Sequence, residues 1–190
     1  MAGCHPLNAM TGAVTIALVI TTSTTEAQNL TLTLTVRNDA RVEDAVLAKA
    51  QATVAKIYSQ AGVDVVWLLS GAQLTIIMLT RESEMAARMR QIPNAMGYAP
   101  GTATAPGRRA YILNHQIDEL ARAYGAEKTV VLGTVIAHEI GHLLFLPGSR
   151  SAIGLMRSKW SHFDFQSARN GELLFTIEQR NLIRTRIGGR

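Results

Sequence analysis

The chain has 190 residues, of which 47% are apolar and 17% charged. That is enough chain for a real core in one domain, and it excludes an intrinsically disordered protein. Nineteen Lys and Arg against fourteen Asp and Glu give +5, but no aromatic-interleaved basic stripe appears, so no nucleic acid partner is expected.

The first feature in chain order is a short apolar run, Gly12 to Ile20, followed by a Thr-rich stretch and the small residues around Ala27. This reads as a signal peptide over residues 1–27, although no Lys or Arg precedes the run. It is shorter than the ~20 apolar residues of a membrane span, so no stable span is expected after cleavage. A secreted or periplasmic domain over residues 28–190 is the resulting expectation. Cys4, the single cysteine, would leave with the signal, so any metal site must be built from His, Asp and Glu.

Leu30 to Val36 alternates between apolar residues and Thr, the period of a half-buried strand. Asn38 and Asp39 are read as opening a helix with apolar positions Val46, Leu47, Ala50, Val54, Ile57 and Tyr58, stopped near Gly62. Strands are predicted over 63–69 and 74–79, and a short helix over 82–90. Residues 93–108 are rich in Pro and Gly and read as a long irregular loop, of the kind that often carries function. A strand over 110–113 and a helix over 117–124 precede a long apolar helix over 128–146, stopped by Pro147 and Gly148. Thr176 and Gln179 have capping-box spacing and open a last helix reaching about Ile187. The pattern predicts an α+β domain in which helices back a small mixed sheet.

The chemistry sits on the long apolar helix. His138 and His142 are four residues apart, so both imidazoles project from one face and can reach one metal ion, with Glu139 placed as a general base. Burying these three groups costs several kcal/mol unless they are paired or coordinated. A buried His-Glu-His network without metal is the plain alternative. Gly141 thins the helix between the histidines, for close approach of a neighbour or for simple packing.

His138-Glu139-Ile140-Gly141-His142-Leu143-Leu144, followed by Gly154-Leu155-Met156, resembles the metzincin zinc peptidases, and the matrixin-like branch in particular. The resemblance is strong over roughly residues 128–160 and looser over the strand-helix-strand order upstream. It implies a long active-site helix followed by a methionine turn, a Zn2+ ion held by His138 and His142, and Glu139 as the catalytic base. Met156, eighteen residues after His138, takes the place of the turn methionine. It further implies hydrolysis of a peptide or protein substrate.

The usual third zinc histidine is absent. In the matrixin register its place falls on Gly148, and two residues later stands Arg150, which cannot ligate a cation. His162 is the nominated third metal ligand, with Asp164 and Glu172 behind it; an ordinary surface histidine is the alternative reading. His115 is a weaker candidate, read as part of a loop. The leading expectation is an exported zinc-dependent metallopeptidase. The alternatives are a catalytically inactive metzincin-like module that binds a peptide or protein, and a non-hydrolytic metal-binding protein. If the enzyme is active, Arg150 is a candidate for binding an oxyanion or a substrate carboxylate.

Overall fold

A computed structural model describes Met1 and residues 30–92, 95–101, 107–145 and 150–189; the expected signal segment lies outside these. The order of elements is β1 (Leu30–Asn38), α1 (Asp44–Ser59), β2 (Val63–Trp67), β3 (Leu74–Leu79), α2 (Glu84–Met89), β4 (Gly97–Tyr98), β5 (Arg109–Leu113), α3 (Asn114–Tyr124), α4 (Lys128–Leu144), α5 (His162–Asn170) and α6 (Ile177–Gly188). The five strands form one sheet in the order β2-β1-β3-β5-β4. β1 pairs in parallel with β2 and β3, and β3 with β5, while β4 runs antiparallel along β5. The fold is therefore mixed α/β: a five-stranded, mostly parallel sheet packed with six helices. The expected mixed sheet packed with helices is present, but its strands are mostly parallel and the parallel pairs are joined through helices, so the arrangement is α/β where α+β was expected.

The alternation in β1 does what its period requires. Leu32 and Leu34 are fully buried, while Thr31, Thr33 and Thr35, which alternate with them, face the other side. The main core lies on the leucine face, where α1 and α4 pack against each other and against the sheet. Ala50, Val54, Ile57 and Tyr58 of α1 are buried at three-and-four spacing there. On the opposite face α2 covers only part of the sheet, with Ala86 and Met89 against Ile77, Leu79 and Leu113.

Helix α1 starts later than Asn38 suggested. The Asn38 side chain accepts from the Val42 amide at 2.9 Å and donates to the Val42 carbonyl at 2.7 Å. It thereby closes a turn, with Arg41 at φ 52°, instead of capping the helix. The last helix follows its sequence signal: Thr176 and Gln179 exchange both hydrogen bonds of a capping box.

Two elements escaped the sequence reading. β4, only two residues long, lies inside the segment read as a loop. α5 is nine residues long and is opened by a Ser161/Asp164 capping box. Among the described residues no helix is long and apolar enough to cross a membrane.

Candidate metal centre

Helix α4 runs through the middle of the core and is buried along most of its length. Its last two turns carry His138, Glu139 and His142. The two imidazoles share a face, as their spacing demands, with ring centroids 4.7 Å apart and planes at 84°. Their Nε2 atoms approach to 3.0 Å.

The protons in this pair can be placed by chemistry. His138 Nδ1 lies 2.8 Å from the carbonyl oxygen of Leu155. A carbonyl only accepts, so His138 carries its proton on Nδ1 and turns a bare Nε2 towards His142. His142 Nε2 then donates to it. Burial is the main reason why the His142 ring is pushed down to about 4; the neighbouring His138 and the Arg150 charge act in the same direction. Burial also lowers His138, opposed by its hydrogen bond to Leu155 and aided by Arg150. Both rings are therefore neutral at neutral pH, the form in which imidazole ligates a metal.

The floor of the site comes from the turn after α4. The Ser151 amide donates to the Met156 carbonyl at 3.1 Å, and the Leu155 amide donates to Leu174 at 2.9 Å. Gly154, at φ 71°, has no room for a side chain, because a Cβ would sit 2.6 Å from the Leu174 carbonyl oxygen. This turn sets Met156 directly beneath Gly141: a Cβ on residue 141 would lie 2.7 Å from the methionine sulfur. Close approach is thus the reason for glycine between the histidines. Leu155, pinned by the same turn, presents its carbonyl to His138.

Glu139 points to another side of α4, where it is 6% exposed. The backbone of β4 closes over it so tightly that a Cβ on Gly97 would meet the Glu139 Cγ at 2.6 Å and Oε1 at 2.7 Å. Burial pushes the carboxyl up to about 8, against the pull of the Arg150 charge. Arg150 itself is exposed, yet its charge reaches all three groups.

A catalytic zinc site normally has three protein ligands. Among the described residues no group of three His, Cys, Asp or Glu is placed to hold a metal ion. His162 is exposed at the start of α5, with Nε2 3.1 Å from the Gln166 side-chain nitrogen, and does not join the pair in such a group. Asp164 is engaged elsewhere. Burial raises its carboxyl, but the bonds it accepts from the Ser161 amide and hydroxyl and from Arg157 outweigh that and hold it below the ordinary range. His115 lies in the first turn of α3 and not in a loop; its two ring nitrogens are buried without a hydrogen-bond partner.

The His138–His142 pair nonetheless fits a divalent ion. Two ligand nitrogens at ~2.0–2.1 Å from a tetrahedral zinc lie about 3.3 Å apart, so the rings need to part by only a few tenths of an ångström. The floor residue, the His138 tautomer and the neutral rings are in place before any ion arrives, while His142 has to move its proton from Nε2 to Nδ1 to ligate.

Sequence reasoning missed three contributors. Gly97 lay within the loop flagged as functional, but its approach to Glu139 is a long-range contact. The Leu155 carbonyl is a backbone group with no sequence signal. Trp160 packs edge-on against His138, with ring centroids 5.3 Å apart, and donates Nε1–H to the same Leu155 carbonyl at 3.2 Å. Its other neighbours border a cavity of about 380 Å³ lined by Met96, Leu120, Tyr124 and Phe165, with Glu119 and Lys159 also on its wall. Met96 of the irregular loop and Ser158 to Trp160 after Met156 contribute to it.

No protein-family profile matches the chain, and no curated protein matches it. Among solved structures, the chain is similar to the solution structure of TM1509 from Thermotoga maritima, at 13% identity and a TM-score of 0.38. That similarity covers 84% of this chain and 90% of the other.

Proposed function

We propose that this chain is an exported, zinc-dependent metallopeptidase of the metzincin-like kind, hydrolysing peptide bonds with Glu139 as general base. One observation carries the reading: the Nε2 atoms of two partly buried, neutral histidines converge to 3.0 Å, with one ring locked by the Leu155 carbonyl. The resemblance of the His-Glu-x-Gly-His string and Met156 to metzincin peptidases supports it. A bound zinc ion supplies Lewis acidity, towards both a scissile carbonyl and water.

The residues of the chain do the rest. His138 and His142 hold the ion, and Met156 supports the helix beneath it. Glu139 accepts a proton from the attacking water and returns it to the leaving amine, which requires an ionised carboxylate. Burial keeps that carboxyl protonated up to about pH 8 even against the pull of the Arg150 charge, so further positive charge, which a bound metal ion would supply, is essential. The same guanidinium is the candidate for stabilising an oxyanion at the mouth of the site. The cavity beside Trp160 offers an apolar recess for a substrate side chain.

A second reading, a catalytically inactive module that binds a peptide or protein, is favoured by the missing third ligand among the described residues. Digestion of a mixed peptide library separates the two. The peptidase reading predicts cleavage that a chelator stops and that Glu139→Ala lowers by at least about 100-fold, the scale of general base catalysis. Equal cleavage by wild type and Glu139→Ala, or none by either in zinc-replete buffer, would overturn the peptidase reading.

A further inference from the structure

The geometry points to Trp160 as the positioning residue for His138, acting through the Leu155 carbonyl that both side chains share. The inference rests on the metal-centre reading for its purpose but not for its geometry.

Three contacts converge on one small region. The indole Nε1–H of Trp160 and the Nδ1–H of His138 donate to the same oxygen, at 3.2 Å and 2.8 Å. A carbonyl oxygen has two acceptor sites, so the bonds coexist. The indole ring also packs edge-on against the His138 imidazole at 86°, which restricts rotation of that ring. Phe165 then backs Trp160 from α5, with ring centroids 5.8 Å apart, and is itself stacked on Tyr124 at the end of α3 at 4.8 Å. A chain of rings, buried at Trp160 and Phe165 and half-buried at Tyr124, thus runs from two helices to one metal-facing histidine.

The chemistry of this arrangement is specific. A carbonyl in a turn can rotate away from a single partner, and a histidine that loses its Nδ1 acceptor can exchange tautomers. His138 would then place a proton on Nε2, where a metal must bind. Trp160 holds the oxygen in place from a second direction and thereby keeps Nε2 bare. Partners of metal-ligating histidines typically alter metal affinity by about 10–100-fold when removed. Trp160 stands one hydrogen bond further out, so the lower end of that range applies.

Trp160→Phe is the test, because it keeps a ring against His138 and Phe165 while deleting the N–H. Two readouts are needed. The first is the His138 ring tautomer in zinc-free protein, from long-range proton–nitrogen NMR correlations. The second is Zn2+ affinity by competition with a chromophoric chelator. We expect the wild type to show a single Nδ1–H tautomer. Trp160→Phe should show mixed tautomers and about 10-fold weaker zinc binding.

An unchanged tautomer together with zinc affinity within twofold of wild type would overturn the inference. If wild type binds no zinc but the tautomer shifts in Trp160→Phe, the positioning role stands and the metal reading falls. Should the variant fail to fold, the Trp67→Phe chain decides the matter, since Trp160 is then its single indole. Its Nε1–H resonance should move on zinc addition; a resonance that stays put while zinc binds contradicts the coupling.

Discussion

The two halves of α4 are buried to the same degree but for different ends. The first, Lys128 to Ala137, is a packing seam. Gly133 lets α1 come so close that a Cβ would lie 2.6 Å from the Thr53 Cβ and 2.7 Å from the Ala50 carbonyl oxygen. The one buried hydroxyl there, on Thr134, is satisfied by the Val130 carbonyl at 2.7 Å. The second half, His138 to Leu144, buries Glu139 and half-buries His138 and His142, and it opposes the charged form of all three. Burial in the first half stabilises the fold, whereas in the second it perturbs ionisable groups at a cost in stability.

That contrast predicts its largest effect at Glu139. The carboxyl is held protonated up to about pH 8, whereas in the unfolded chain it ionises near 4.5. The stability that the protonated form contributes is therefore intact below about pH 4.5 and is lost as the pH rises through 8. Glu139→Gln mimics the protonated acid at every pH. In zinc-free protein it should raise stability over wild type by an amount that grows between pH 4.5 and 8, reaching a few kcal/mol. Denaturant melts at several pH values will show this; a gap independent of pH means that Glu139 is not buried as described.

Gly133→Ala tests the other half. The added methyl meets backbone as well as side-chain atoms, and overpacking of that kind costs about 1–3 kcal/mol, partly offset by about 1 kcal/mol of helix propensity. Its melting midpoint should fall while zinc affinity stays within twofold. A matching loss of zinc affinity would mean that the two halves act as one unit. Tyr58→Phe should have the smallest effect. It deletes the hydrogen bond to the Ala137 carbonyl, at 3.2 Å, where the halves meet. The loss should be about 0.5–1.5 kcal/mol in thermal or denaturant unfolding, with no change in its pH dependence.

The same contrast marks what could be read from the sequence. Features with a local period or cap were legible: the Leu/Thr alternation of β1, the apolar run of α4, the Thr176 cap. So was the pairing of His138 with His142, because four residues of helix fix their shared face. Contacts between distant segments were not. Nothing in the spacing says that Gly97 would sit on Glu139, or that Trp160 and His138 would share a carbonyl. β4 was too short to register, and Asn38 spent its side chain on Val42 where a helix cap was expected. His162 looked available because a histidine near a metal motif carries no mark of its exposure. The structure puts it on the surface, bonded to Gln166.

If the second half of α4 is built to hold a metal ion, the metal content of the purified protein will show it. After equilibrium dialysis against zinc, wild type should retain close to one zinc per chain, while His138→Ala and His142→Ala retain little, with their folds intact by circular dichroism. A wild-type protein that holds no zinc, or that holds it equally well without His142, would contradict the account.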